Sequence, residues 1–212
     1  MEIRKAFRNY SCEVRAQRSE EHGTYIEGTP IVFEQATDIG GMFREIIDKG
    51  AVEKDALKDV RFLVNHNLDM IPLARSRNNN EHSTMQLTLG DDGLSMRADL
   101  DVENNATAKE LYSAVERGDI SGMSFMFLVD GEEWEDLDAD YPTRRITHIS
   151  DVIEVSAVTM PAYEQTSISA RSDAEALESA KATLESAKAK EEEERKQKAD
   201  SIRERITKLM EG

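Results

Sequence analysis

Ser124, His66 and Glu154 are the side chains of this 212-residue sequence whose types suit them to act together on a carbonyl group. A serine hydroxyl is a poor nucleophile at neutral pH unless a base within hydrogen-bond reach takes its proton, and an imidazole serves as that base when an acid orients it. Ser124 lies in residues 118–127, GDISGMSFMF, where a helix is expected to give way to an apolar strand, so that a small turn displays a hydroxyl beside buried structure. The same serine and glycine pattern also serves as ordinary turn chemistry. Four histidines are available: His22, His66, His82 and His148. His66 closes the alternating run DVRFLVNH of residues 59–66, and a histidine at a strand tip either faces a cleft or sits in a plain loop.

The third member has two candidates. Residues 144–158, RRITHISDVIEVSAV, alternate strongly. In a strand, residues two apart share a face, which puts His148, Ser150, Val152, Glu154 and Ser156 on one side and Ile149, Asp151, Ile153 and Val155 on the other. A carboxylate on such a strand is costly to bury without a partner, so Glu154 requires one. His148 shares its face and competes for the role.

The elements that must position these groups read as follows. Residues 4–33 suggest two paired strands around the turn HGTY, and Phe43, Ile46 and Ile47 recur at helical spacing with Gly50 as a stop. Residues 84–89 and 93–100 form a hairpin around Gly90-Asp91-Asp92-Gly93. Residues 107–117, TAKELYSAVER, form a helix with Leu111, Ala114 and Val115 on one face and Gly118 as its end. An acidic loop follows the serine strand, carrying Asp130, Glu132, Glu133, Glu135, Asp136, Asp138 and Asp140. Met160-Pro161-Ala162-Tyr163 ends the compact part. Beyond Ser172 the composition turns to Ala, Glu and Lys, as in a long helix with an interrupted heptad pattern.

Composition narrows the function. With 43 acidic against 27 basic residues the net charge is -16, which disfavours a role that neutralises phosphates, so nucleic acid is not expected as a partner. No apolar run approaches the roughly 20 residues of a spanning helix, and MEIRKAFRNY lacks the apolar stretch of a signal peptide; a soluble protein of a reducing cytoplasm, without a membrane partner, is expected. Cys12 stands alone and cannot form an internal disulfide. The acidic segment lacks a glycine and a terminal glutamate at the spacing of a calcium-binding loop, and the histidines are scattered, so neither metal nor cofactor is expected.

From about Gly28 to Ala162 the sequence resembles the prohead proteases of tailed bacteriophages, which are similar in fold to the herpesvirus maturation proteases. The stretches that carry the likeness are GTPIVF, a helix in FREIIDKGA, the strand and histidine of VRFLVNHN, the hairpin LGDDGLSMRADL, ISGMSFMF and IEVSAVTMPAY. The resemblance implies an α+β fold, a mostly antiparallel β-barrel-like core flanked by helices, with a protease domain over residues 1–171 and a charged helical tail over 172–212 that is either removable or self-associating. It implies a serine endopeptidase that cleaves scaffold and major capsid protein segments inside the viral prohead, in the host cytoplasm, and then cleaves itself. Ser124 would be its nucleophile and His66 its general base. Glu154 would be the third member, with His148 the competitor because the herpesvirus relatives use a second histidine. Activity is then expected to rise with pH as His66 becomes neutral. Two departures bear on pocket shape: Ala74 where the family often has glycine, and Met126 where it often has a small residue.

Two other readings compete. One is a catalytically inactive scaffold or assembly protein of the procapsid, which the joint presence of serine, histidine and acid disfavours. The other is a cysteine hydrolase built on Cys12 and His22, although a cysteine in an alternating strand pattern more often packs as a small apolar group.

Overall fold

The computed structural model describes residues 4–10, 14–159 and 172–210. Among the described residues, eleven strands and two α-helices build an α+β fold around one core. The strands are β1 (Arg4–Tyr10), β2 (Val14–Ser19), β3 (Gly23–Val32), β4 (Thr37–Ile39), β5 (Phe43–Ile47), β6 (Asp59–Val64), β7 (Ala74–Arg77), β8 (Met85–Leu89), β9 (Gly93–Asp99), β10 (Gly122–Glu135) and β11 (Thr143–Val158). The helices are α1 (Ala106–Glu116) and α2 (Ser172–Met210).

The strands make two sheets. A seven-stranded sheet runs β1-β10-β11-β5-β4, with β6 also alongside β11 and β7 on β6; a four-stranded sheet runs β2-β3-β9-β8. Pairing is antiparallel except where β11 meets β5 and β6. The expected barrel-like core thus takes the form of two sheets closing on one apolar interior. Ile26, Leu94 and Met96 from the smaller sheet meet Phe62, Phe125, Phe127 and Val155 from the larger, and α1 adds Leu111 and Val115.

Local chemistry explains the elements that hold the site. Asn105 caps α1, its side chain accepting from the backbone N–H groups of Thr107 and Ala108. Gly118, at a φ of 79°, stops the helix in the left-handed conformation that glycine reaches without strain. The 14- and 16-residue strands β10 and β11 pair along their whole length, interrupted by register shifts near Met126, Leu128, Val129 and Gly131.

Several expectations change. Residues 43–47 form a strand, because Phe43, Glu45 and Ile47 alternate into the interior and β5 pairs with both β4 and β11; five residues are too few for the helical spacing to decide. The first expected strand divides, with β1 joining the large sheet beside β10 and β2 joining the small one. The acidic segment is loop only at its end, since β10 continues through Glu135. The bulges also break the simple alternation of β11, so Val152 faces the core with Val155. Cys12 and Met160 through Tyr163 lie outside the described residues.

One ion-pair cluster joins the far ends of these strands. Arg144, almost wholly buried, donates to Glu45 Oε2 at 2.8 Å and also to the Glu132 carboxylate. An Arg144→Met chain loses the guanidinium facing a Glu45 carboxylate that has no access to water, and urea unfolding should show a loss of about 3–5 kcal/mol.

On β6, Asp59 accepts from Arg75 and from Arg61. The Arg75 hydrogen bond is the main cause that holds its carboxyl below the usual range. A depressed carboxyl stabilises the fold above its unfolded value and loses that contribution as pH falls through the folded one. Asp59→Asn should therefore lower the melting temperature at neutral pH by the equivalent of about 1 kcal/mol, since the pair is partly solvated, and the gap from wild type should narrow as pH falls below the ordinary aspartate range.

Candidate active site

His66 stands just past the end of β6. The chain leaves the ladder there through two successive left-handed residues, Asn65 (φ 50°) and His66 (φ 55°). Asparagine and histidine are the types that tolerate that region best after glycine. The Asn65 N–H still bonds the Ala157 carbonyl at 3.0 Å, and its side-chain oxygen accepts from the Thr159 N–H and hydroxyl. The turn is thereby fastened to the end of β11 on both sides.

That turn brings the imidazole over β11. His66 Nδ1 lies 2.5 Å from Glu154 Oε1. Ser156 Oγ donates to the other Glu154 oxygen at 2.5 Å and accepts from the His66 N–H at 3.1 Å. The Glu154 side chain is fully buried and His66 is 9% exposed. A carboxylate so placed favours the tautomer with hydrogen on Nδ1, which leaves Nε2 with a lone pair and makes the ring a proton acceptor.

Ser124 lies two residues into β10, directly opposite Ser156. Opposed residues of an antiparallel pair share a face with Cβ atoms about 5 Å apart. Ser124 therefore sits on the face that carries Ser156, Glu154 and the imidazole. It lies within the strand and not on the expected turn. Its side chain is fully buried, and β1 runs along its other side with Asn9 in register. Met126 pairs with Glu154 in the ladder and is buried. Ala74 is buried opposite Phe62, away from this group.

The remaining candidates sit elsewhere. His148 contacts Asp130 through Nδ1, six residues down β11 from Glu154. His22 shares a hydrogen bond of 3.1 Å with Arg97, and His82 is almost wholly exposed. Among the described residues no group of three or more His, Cys, Asp or Glu side chains could hold a metal ion. Ser156 was given no role from sequence, although its place two residues after Glu154 on one strand face was a usable signal.

A sequence profile of the caudovirus prohead serine proteases matches residues 10–181. The chain belongs to that family. The match begins at the end of β1, includes every residue of the group just described, and ends inside α2. No curated protein matches the sequence. Among solved structures, the bacteriophage T4 capsid assembly protease is 16% identical over 74% of this chain and 99% of that one, with a TM-score of 0.43. By its family the chain is a phage prohead protease.

The contacts around Glu154 make a prediction independent of any activity. The Nδ1 proton of His66 should resonate far downfield in nitrogen-edited NMR, and Glu154→Gln should remove that signal. Ser156→Ala strips one partner each from Glu154 and from the His66 N–H, and should cost about 1–3 kcal/mol of stability in urea unfolding.

Proposed function

We propose that the chain is a serine endopeptidase with Ser124 as nucleophile, His66 as general base and Glu154 as the acid that orients it. The observation that carries this reading is the 2.5 Å contact between His66 Nδ1 and a fully buried Glu154, on the sheet face where the β10–β11 register puts Ser124. In the first step His66 Nε2 takes the Ser124 proton as the oxygen attacks a peptide carbonyl. Glu154 stabilises the imidazolium that results, and the imidazolium then protonates the leaving amine. Water repeats the sequence to free the acid product. Ser156 serves as a positioning residue, since one hydroxyl holds the second oxygen of Glu154 and the backbone of His66 together.

The substrates we propose are major capsid and scaffold proteins within the procapsid, followed by the protease itself. Residues 1–171 would be the protease domain and 172–212 an appended tail. Helix α2 supports that division: beyond Ala180 and Thr183, which are buried, and Arg195, which pairs with Asp138, its described residues are largely solvated. A tail held so lightly suits a segment that is used during assembly and then cut away. Ser124 is covered in the arrangement described, so cleavage requires a covering segment to shift.

The test is direct. Co-expressed with capsid protein, the wild-type chain should process it and shorten itself, both read by intact mass. Ser124→Ala and His66→Ala should each lose about 10⁴-fold or more in rate with an unchanged circular dichroism spectrum. Ser156→Ala should retain cleavage at a reduced kcat. Processing that persists at wild-type rate in the Ser124→Ala chain would remove the assignment.

A further inference from the structure

A cleft of about 930 Å³ opens beside His66, between the 65–73 loop and α1. Its volume is that of sites that enclose a ligand. Val64, Met70, Leu73, Leu111, Ala114 and Ile120 supply apolar walls. Asn65 and Asn67, the two chain neighbours of His66, line it, so the cleft lies beside the turn that carries the candidate general base. Ile120 closes the opposite wall four residues before Ser124.

Two further features favour an extended polypeptide as occupant. Leu68 is 52% exposed and Ile71 83% exposed, both on the loop that forms the outer lip. Large apolar side chains clustered at the mouth of an apolar cleft mark a surface that a partner covers. Among the described residues that line it, Glu110 is the only ionisable side chain, and it is exposed on the α1 side. The cleft therefore offers apolar walls, uncharged polar groups from Asn65, Asn67, Asn104, Asn105 and Thr107, and one negative charge, a combination that accepts Leu, Phe or the long stem of Lys and repels Asp and Glu.

We propose that this cleft is a specificity subsite of the protease, taking a large aliphatic, aromatic or lysine side chain of the substrate close to the bond that is cut. The assignment rests on the reading of Ser124 and His66 as the reacting pair for its meaning, but its binding can be measured without any chemistry. Ala114 sits on the floor, one turn from Leu111, and its backbone carbonyl accepts from Asp119 and Ile120, bonds that a larger side chain leaves in place. Ala114→Phe should fill the cleft. Thr107→Trp, at an exposed position on the α1 rim, narrows it from outside and guards against a folding defect in the first variant.

The experiment uses full-length chain carrying Ser124→Ala and fluorescein-labelled peptides that differ in one central residue: Leu, Phe, Lys, Glu or Ala. Fluorescence anisotropy should rank Leu, Phe and Lys above Ala and Glu. Each plugging variant should weaken the Leu and Phe peptides by about tenfold or more, the worth of one buried aliphatic side chain, with little effect on the Ala peptide. Glu110→Gln should improve the Glu peptide relative to the Lys peptide. The subsite is overturned if plugging leaves all affinities unchanged, or if the unplugged chain binds none of the peptides. Cleavage that survives Ser124→Ala would instead remove the catalytic assignment while leaving a positive binding result standing.

Discussion

Glu154 has no contact with water, and a carboxylate in that position is tolerable only while its oxygens are bonded. One oxygen meets the imidazole of His66 and the other the hydroxyl of Ser156. That demand reaches outward. It fixes the rotamer of the histidine, requires the left-handed turn that carries it, and requires β6 to pair in parallel with β11 so that the turn ends over the right residues. Met126, itself buried, stands opposite Glu154 in the β10–β11 ladder. Loss of any one of these contacts leaves a buried charge partly solvated by nothing, so the group is held as a unit.

The larger sheet supports this group through its length. β10 and β11 carry the serine, the carboxylate and the second hydroxyl at one end, and the Arg144 cluster at the other. Both ends place buried charge on strands that also form the core. The carboxylates and the guanidinium of both clusters lie on strands, where water is excluded well enough to make a charge pair directional, and the imidazole alone comes from a turn. The smaller sheet and α1 contribute by closing the apolar side, which keeps the strands from shifting relative to each other.

Much of this was legible in the amino-acid order, for reasons that differ by element. Helix α1 carried its own punctuation in Asn105 and Gly118, and the β8–β9 hairpin carried its turn. His66 and Glu154 stood out as polar groups at the tip or on the face of otherwise apolar strands. Residues 43–47 misled because Phe43, Ile46 and Ile47 satisfy a helical spacing as well as a strand one, and the deciding partners, β4 and β11, are remote in sequence. Likewise β1 and β2 looked like one strand, since the sheet each joins is a property of the folded whole. The bulges of β10 and β11 left no residue-level mark, so the face of Val152 was misassigned. Ser156 does not stand out in the sequence, because a serine hydroxyl two residues from an acid shows its value only when a third group arrives from another strand.

His66 and Glu154 are separated by 88 residues, and Ser156 is still further along. Contacts of that span close late, after the entropy of a long loop has been lost. Synthesis runs from the N-terminus, so the histidine and the serine leave the ribosome well before the strand that would organise them. A nascent chain ending short of β11 has the imidazole and the hydroxyl but no acid to align them. On the catalytic roles proposed above, the topology acts as a timing device in translation: the polypeptide stays chemically idle until nearly its whole globular part has been made.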